Sequence, residues 1–394
     1  MSLWDAFKGT LAGVLGDKGA VMPAVVGVIF YCFFYPLPYL PQTVRQVPVA
    51  VADYDGSPLS RQLERDLDST RELHVTSVVR RVEDAVPLLQ HLEIGGIVAI
   101  PPDFDRDVLR GTPTGVTIMG NGGYIVVDGT ILGSTAQVLA ATAAGPIAAH
   151  MLESHVPPAE LLRAAHAGPA VIKQPLFNTV QGYEGYVVPA STGIIVHQLL
   201  LIAICILIGT WVEKGVWSIA PDGALSVRAF GGMLGALSIL VFGALLFWIG
   251  FVFWFHDLPR GGNLSAAIVF CGLYAVAISA LGVVVGCWMG ERERALQVVA
   301  ALSVPLLFLS GFAFPVESMP QPVVALSDLL PSTHGIQGLL KFNQMGASWQ
   351  EARSEVRGLI LLIVLYGTLA WLLARWRARG RPSVGPHPNL EHPA

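Results

Sequence analysis

The chain has 394 residues, of which 53% are hydrophobic and only 13% are charged, with a formal net charge of −4 at pH 7. Soluble domains carry charge on about a quarter of their residues, so this composition, with a mean hydropathy of +0.59, excludes an ordinary soluble protein. The sequence is that of a membrane protein.

An amphipathic stretch precedes the first membrane-length segment. In SLWDAFKGTLAGVL the apolar side chains share one helical face, and Ser2 and Asp5 have the spacing of a capping box. We expect residues 1–20 to form a helix on the cytoplasmic surface of the membrane and residues 21–40 to form the first transmembrane helix. The stretch does not resemble a cleavable signal peptide, so we expect this span to stay in place.

Residues 41–183 alternate between strand-like and helix-like patterns. VPVAVADYD, HVTSVV, GGIVAI and TGVTIM are predicted strands, whereas SPLSRQLERDLDS and EDAVPLLQHL are predicted helices. This alternation is typical of a small α/β domain. Residues 129–152 are uncharged as well, but they are rich in small residues and contain Pro146, which would open a helix. We therefore interpret them as a helix of this domain and not as a span.

Five further charge-free stretches are each long enough to cross about 30 Å of hydrocarbon at about 1.5 Å per residue. Together with the first span they predict an α-helical polytopic membrane protein with six transmembrane helices and an inserted α/β extracytoplasmic domain. The five predicted spans, all within residues 185–376, are about 187–210, 229–255, 264–290, 296–314 and 357–376.

Lys and Arg in the short connections predict the orientation. They are more numerous on the side that holds both chain termini, and such residues accumulate in cytoplasmic loops. We therefore place both termini, with the basic, proline-rich tail 377–394, in the cytoplasm and residues 41–183 outside it. The cysteines all fall in predicted spans and are expected to be packing residues; they are Cys32, Cys205, Cys271 and Cys287.

The sequence offers no motif for catalysis or nucleotide binding. Residues 41–183 contain carboxylates and histidines, but no pair of histidines at metal-ligand spacing and no G-x-S-x-G turn. The chain has no Gly-Lys dipeptide, which a Walker A phosphate-binding loop requires. We therefore predict that the chain is not an enzyme and has no cofactor or metal of its own, and that any ATP is bound by another polypeptide.

Three stretches carry a more specific signal. VPVAVADYDGSPLSRQLERDLDST contains the pattern V-x-D-x-D-x-S-x-L-S-R, GGIVAIPPDFDRDVLRG contains v-a-I-P-x-x-F, and LSGFAFPVESMP with the following LSDLLPSTHGIQGLLKFNQMG contains L-S-G-x-x-F-P-x-x-x-M-P … P. In this order, around one span, a large insertion and five more spans, they resemble the permeases of the ABC type-2 transporter family. The matching residues of the first two stretches are Asp53, Asp55, Ser57, Ser60, Arg61, Pro101 and Phe104.

The resemblance gives the third stretch a role. In this family the segment after the fifth span forms short helices that dip back into the outer leaflet and wall the exit of the transport path, so we expect a re-entrant segment at about 311–340. Gly311 and Pro315 would break the fifth helix, and Pro320 and Pro331 would end the short pieces. A proline-rich outer loop is the alternative interpretation. The predicted gate residues are Gly311, Phe314, Pro315, Glu317, Pro320 and Pro331.

One stretch departs from the family. Most members carry Arg-Glu-x-Glu-x-Gly-Thr between the second and third spans, where it helps to contact the ATPase, whereas this chain has GTWVEKGVWSIAPDGALSVR. Glu213, Lys214 and Gly215 match it in part, and we predict Glu213, Lys214 and Trp217 as the coupling loop. Anchoring of the helix ends at the interface is the alternative role for the two charges.

The resemblance implies the permease subunit of an ATP-driven exporter in the bacterial cytoplasmic (inner) membrane, which moves an amphipathic, lipid-like or drug-like substrate outward. The implied partners are a cytoplasmic ABC ATPase subunit that brings ATP and Mg, a second permease copy or a paralogous permease, and membrane lipid; a periplasmic adaptor stays open, and no nucleic acid is expected. Two alternatives remain: a non-transporting structural or regulatory relative, and a membrane-anchored enzyme that uses the outer domain.

Overall fold

The structure, a computed structural model, describes residues 1–39, 44–110, 112, 114–120, 124–153, 183–215, 217, 219–220 and 225–379. The chain divides into two compact units. One consists of Met1–Leu40 and Pro175–Ala394, and the other of Pro41–Gln174. The predicted tail lies outside the described residues after Arg379.

The first unit begins with two helices that meet at Asp17. Helix α1 spans Leu3–Gly16, and Ser2 is its N-cap, because the backbone N of Asp5 donates to Ser2 Oγ at 3.1 Å; Ser2 Oγ in turn donates to the Asp5 carboxylate at 2.5 Å. Helix α2 spans Lys18–Tyr39 and is a candidate membrane span. It contains a π-helical turn at Met22–Gly27, where a proline at the start of the turn lacks an N–H.

The second unit is built on a four-stranded sheet within its described residues. The strands are β1 (Val47–Asp53), β2 (Leu73–Val79), β3 (Gly96–Ile100) and β4 (Thr117–Gly120), in the order β2-β1-β3-β4. β1 runs parallel to β2 and β3, while β4 is antiparallel to β3. β3 is buried along its whole length, which explains its continuous apolar sequence GIVAI.

Four helices connect and cover these strands: α3 (Pro58–Asp68), α4 (Val82–Gln90), α5 (Phe104–Arg110) and α6 (Ile125–Glu153). All six strand and helix segments predicted between residues 47 and 120 are confirmed. Helix α6 packs against α3 and α5 through Ile131 and Val138 and is not a candidate span, as predicted. The expectation that Pro146 opens this helix is wrong, because one missing hydrogen bond does not stop a helix whose earlier turns are packed.

The rest of the first unit is helical within its described residues. The helices are α7 (Tyr183–Glu213), α8 (Val227–Phe255), α9 (Leu264–Met289), α10 (Arg292–Ala301), α11 (Ser303–Leu309), α12 (Gln321–Ser327), α13 (Pro331–Leu339) and α14 (Arg353–Arg379). Among the described residues, five helices are long and apolar enough to cross a membrane: α2, α7, α8, α9 and α14. They correspond to five of the six predicted spans.

The predicted span 296–314 differs from the structure. Two short helices, α10 and α11, occupy it and meet at Leu302. Pro305 has no N–H for the Ala301 carbonyl, and Ser303 Oγ donates to the neighbouring Ala300 carbonyl at 2.6 Å. Neither helix alone has span length, so the structure has no continuous helix at this place.

Helix α7 lies at the centre of the first unit. Its most apolar window is 83% buried, against 17% for α14, and it packs on α9, α10 and α13. All four cysteines are buried and free, in agreement with their predicted packing role.

Candidate functional site

Gly311 ends α11 in a conformation that only glycine adopts without strain. Its φ is +76°, and a Cβ built on it would lie 2.5 Å from Val316 Cγ2 and 2.8 Å from Gln337 Nε2. The predicted break of the helix at Gly311 is therefore present, and its cause is backbone geometry combined with close packing.

The prolines of this segment open elements more than they end them. Pro320 is the residue directly before α12, and Pro331 is the first residue of α13, where the fixed φ of proline suits a helix start. The expectation that both would end short pieces is thus corrected. Pro315 has extended backbone (φ −57°, ψ 130°) before a short turn at Val316–Ser318. Phe314 is half exposed, and Glu317 belongs to that turn, its side chain lying outside the described part.

Helix α13 is pressed against its neighbours through glycines. A Cβ on Gly335 would lie 2.2 Å from the Tyr274 ring, and one on Gly338 would lie 2.1 Å from the Phe270 ring. Both rings belong to α9 and are fully buried. The glycines therefore let α13 approach α9 more closely than any other residue would allow.

α13 also holds the broken end of α11. Thr333 Oγ1 donates to the Leu309 carbonyl at 3.1 Å, and Gln337 Nε2 donates to the Ser310 carbonyl at 3.4 Å. The last carbonyls of a helix lack intrahelical partners, and at membrane depth such groups need protein or water to bond them. The side chains of Thr333 and Gln337 thus provide hydrogen-bond donors for two of these carbonyls.

Two cavities adjoin this segment. One, of about 440 Å³, has charged and polar walls that include Asp328, His334, Lys341 and Glu355. The other, of about 260 Å³, is mainly apolar. Both are lined by Tyr186, Gly311, Phe312 and Gln337. A polar and an apolar space thus meet where α11 ends.

A row of aromatic rings connects α2 and α7 with this place. Tyr39 stands 5.3 Å from Tyr183, and Tyr186 stands 5.7 Å from Phe312, measured between ring centroids. Tyr186 also donates its hydroxyl to the Phe312 carbonyl at 3.2 Å. Aromatic side chains with one polar atom are typical of membrane interfaces.

A buried contact between a carboxylate and an imidazole lies at the same end of α7. Glu184 Oε1 is 3.3 Å from His256 Nδ1, and the two side chains are 2% and 5% exposed. His256 Nε2 lies 3.2 Å from the Cys32 carbonyl and must carry a proton to donate to it. The contact therefore ties the starts and ends of three candidate spans together, and the sequence motifs did not indicate it.

The opposite end of α7 carries a second polar cluster. Arg292 Nη1 is 3.2 Å from the Asp17 carboxylate, to which Thr210 Oγ1 also donates at 3.4 Å. Glu213 accepts from the backbone N of Arg292 at 3.4 Å. The junction of α1 and α2, the end of α7 and the start of α10 are thus joined through side chains.

The three predicted coupling residues differ in accessibility. Glu213 and Lys214 are exposed, whereas Trp217 is 2% exposed and packs in the core with its ring 5.9 Å from that of Trp211. The charged side chains of Glu213 and Lys214 are therefore accessible to a partner, whereas Trp217 packs the loop against the core.

The family motif of the second unit builds a turn. Asp53 Oδ1 accepts from the backbone N of Asp55 at 2.9 Å and of Gly56 at 3.0 Å, and Asp53 Oδ2 accepts from Ser60 Oγ at 2.8 Å. Ser57 caps α3 by accepting from the N of Ser60 at 3.0 Å.

The remaining motif residues complete that turn. Arg61 donates to the Gly56 carbonyl, and Asp55 accepts from the N of Asp105 at 3.2 Å. Phe104 is 1% exposed in the core under the sheet, and Pro101 directly follows β3. These residues bring the ends of β1 and β3 together, which is a structural role. Among the described residues, no group of three or more His, Cys, Asp or Glu is placed to hold a metal ion.

Comparison with known proteins agrees with this architecture. The model of the ABC-2 family transporter proteins matches residues 20–372, which is most of the chain. The chain is also similar to the probable multidrug ABC transporter permease YbhR of Escherichia coli strain K12, at 20% identity over 385 residues that cover 95% of this chain and 98% of that protein. The same values hold for YbhR of Escherichia coli O157:H7. The chain is therefore a membrane protein that belongs to the ABC-2 transporter family.

Proposed function

We propose that the chain is the permease subunit of an ATP-driven exporter. Family membership supports a transport subunit. The observation that carries the proposal is the broken backbone at Gly311, which a polar cavity and an apolar cavity adjoin. Irregular backbone at membrane depth is tolerated where it lines a path or is buried in protein. An amphipathic or drug-like substrate would match the two cavities, and the similar YbhR is described as a probable multidrug permease.

The energy source in this proposal is a separate cytoplasmic ATPase subunit that binds ATP and Mg. The exposed Glu213 and Lys214 would contact it, and the polar cluster around Arg292 would pass its movement to α1, α2 and α10. These three elements meet the end of α7, so a push on the loop reaches them directly.

The orientation in this proposal places both termini in the cytoplasm of a bacterium and residues 41–183 outside. A cysteine at the exposed Ser69 should then react with a membrane-impermeant thiol reagent in spheroplasts, and one at the exposed Lys8 should not. The native cysteines are buried, so their background is low. The reverse labelling pattern would exclude this orientation.

A second copy of the chain, or a paralogous permease, is proposed to cover the face of α10 and α11. Val304 and Phe308 are 61% and 54% exposed there, beside the point where Pro305 interrupts the helix. A lipid-facing helix would leave the interrupted backbone unsatisfied, whereas a partner helix can satisfy it. Disulfide crosslinking of a Val304→Cys variant between two copies tests the homodimer. If no crosslink forms at protein concentrations where a dimer would survive in detergent, the result argues for a paralogous partner.

The export function is tested by Gly311→Ala. A left-handed conformation costs about 1–2 kcal/mol for a non-glycine residue, and the new Cβ meets Val316 and Gln337 as well. We expect a severalfold slower efflux of lipophilic dyes from cells at equal membrane expression. Gly56→Ala is the matched control, because Gly56 has φ +63° but no atom within 4 Å of its Cβ position. Equal efflux by both variants and the wild type would remove the segment from the path.

A further inference from the structure

A cavity of about 520 Å³ lies between the junction of α1 with α2, the last turns of α7 and the start of α10. Its polar side carries Lys18, Lys214 and Arg292, which come from three different elements. Its apolar side is formed by Leu207 and by the ring of Trp211, which rests on Gly13. The cavity is thus amphipathic, with three cations on one wall.

The positive charge of the cavity is not neutralised by its own walls. Asp17 is the carboxylate that lines it, and Asp17 is already engaged by the backbone N of Gly19 at 2.9 Å and by Arg292 Nη1 at 3.2 Å. Lys18 and Lys214 are exposed, and neither forms an ion pair with any residue that the structure describes. Two ammonium groups therefore remain for an anion from outside the chain.

The cavity adjoins the ends of two candidate membrane spans, and lipid headgroups surround the ends of such spans. Lys18 is the first residue of the apolar helix α2, and Lys214 directly follows the last residue of the apolar helix α7. Helix α1 leaves Leu3, Trp4 and Leu15 more than half exposed, which is the pattern of a helix resting in the interface. A tryptophan wall beside cations is typical of the same region.

We propose that this cavity binds the headgroup of an anionic phospholipid. The phosphate lies between Lys18, Lys214 and Arg292, and the upper part of an acyl chain lies along Leu207 and Trp211. Basic pockets between transmembrane helices recognise such headgroups through charge. The apolar wall favours a lipid over a soluble phosphate, because the phosphate could contact only the cations. The proposal does not depend on transport, although Lys214 is shared with the proposed ATPase contact.

The test uses the purified full-length chain in nanodiscs. Wild type in phosphatidylcholine discs is titrated with phosphatidylglycerol, and bound lipid is counted by native mass spectrometry alongside the thermal unfolding midpoint. Each basic residue near an anionic surface contributes about a fivefold gain in affinity, so Lys18→Gln/Lys214→Gln should weaken phosphatidylglycerol binding about tenfold or more. Each single variant should give an intermediate loss.

Two controls keep the result specific. Lys8→Gln removes a cation of α1 that lies over the Trp4 ring, outside the cavity, and should bind lipid as the wild type does. Lys18→Arg/Lys214→Arg should keep most of the affinity, and all variants should unfold like the wild type in pure phosphatidylcholine.

The proposal is overturned if the double Gln variant binds phosphatidylglycerol as tightly as the wild type. It is also overturned if Lys8→Gln loses as much phosphatidylglycerol affinity as the double variant, because that result would indicate attraction by diffuse surface charge. Inorganic phosphate is the third arm. Stabilisation by millimolar phosphate in phosphatidylcholine discs equal to that by phosphatidylglycerol would mean that the cavity takes a soluble anion and not a lipid.

Discussion

Glu64 shows how one carboxylate sets a pH dependence in the second unit. Burial, together with the neighbouring Asp53, raises the pKa of the Glu64 carboxyl above its usual value of 4.5. The folded state therefore holds this proton more tightly than the unfolded state. It follows that the free energy of unfolding falls as the pH rises from about 4.5 through the raised pKa.

Glu64→Gln should remove this loss, because the amide carries no charge and can still donate to Asp53. We expect stability at pH 7 to rise by less than about 1 kcal/mol, since the group is only partly buried, and the difference to vanish near pH 4. Hydrogen exchange of the α3 amides, corrected for intrinsic rates, measures it. Weaker protection of the variant at pH 7 would contradict the account.

Glu184 and His256 form a buried polar contact between candidate spans. Removing Glu184 leaves the buried His256 ring without its carboxylate partner, and an unsatisfied buried polar group costs about 1–3 kcal/mol. Glu184→Ala should therefore lower the thermal unfolding midpoint strongly, while Glu184→Ala/His256→Ala should recover part of the loss.

The matched control for that pair is exposed. Glu83 pairs with Arg81 at 3.2 Å, but both side chains are about two-thirds exposed, so Glu83→Ala should leave the thermal unfolding midpoint nearly unchanged. If Glu184→Ala is as mild as the control, the buried pair contributes little to holding α2, α7 and α8 together.

At the scale of elements, the close packing of α13 on α9 depends on small residues. Gly338→Ala places a methyl group where the buried ring of Phe270 stands, and overpacking of this kind costs about 1–3 kcal/mol. We expect a lower unfolding midpoint and altered efflux. Gly272→Ala, in α9 with no atom within 4 Å of the added Cβ, should be neutral or slightly stabilising. Equal midpoints for the two variants would refute the tight contact.

Sequence patterns predicted most elements because each pattern is local. β1 and α3 follow from alternation and from Ser57 with Pro58 at the helix start, and five spans follow from the absence of charge over membrane length. The division into α10 and α11 was missed because the apolar run is continuous in composition. A proline such as Pro305 in this run is compatible with one kinked helix and with two separate helices.

The contacts of the site were predictable only in part. Gly311 was found because a glycine and a following proline signal a helix end, but the direction of Pro320 and Pro331 was misjudged, since proline both stops one helix and starts the next. Glu184 and His256 lie on different helices, and no local pattern records which of many charged groups near span ends will meet.

On the scale of the whole molecule, polar clusters lie at the two ends of α7. One end holds the buried contact of Glu184 with His256 and the cavities beside Gly311, and the other holds the cluster of Asp17 and Arg292 with the exposed Glu213 and Lys214. In the proposed function, this central helix carries movement between the two polar clusters. The ATPase contact is therefore the central claim.

The most direct measurement is the ATP hydrolysis rate of the cytoplasmic ATPase that copurifies with the tagged chain, in proteoliposomes with the wild type and with Glu213→Lys/Lys214→Glu. We predict that a Walker-containing ATPase is recovered, that the permease stimulates its hydrolysis, and that charge reversal lowers the stimulated rate severalfold while thermal unfolding in pure phosphatidylcholine is unchanged. Recovery of no such ATPase, or a hydrolysis rate that neither the permease nor the charge reversal alters, would contradict an ATP-coupled role.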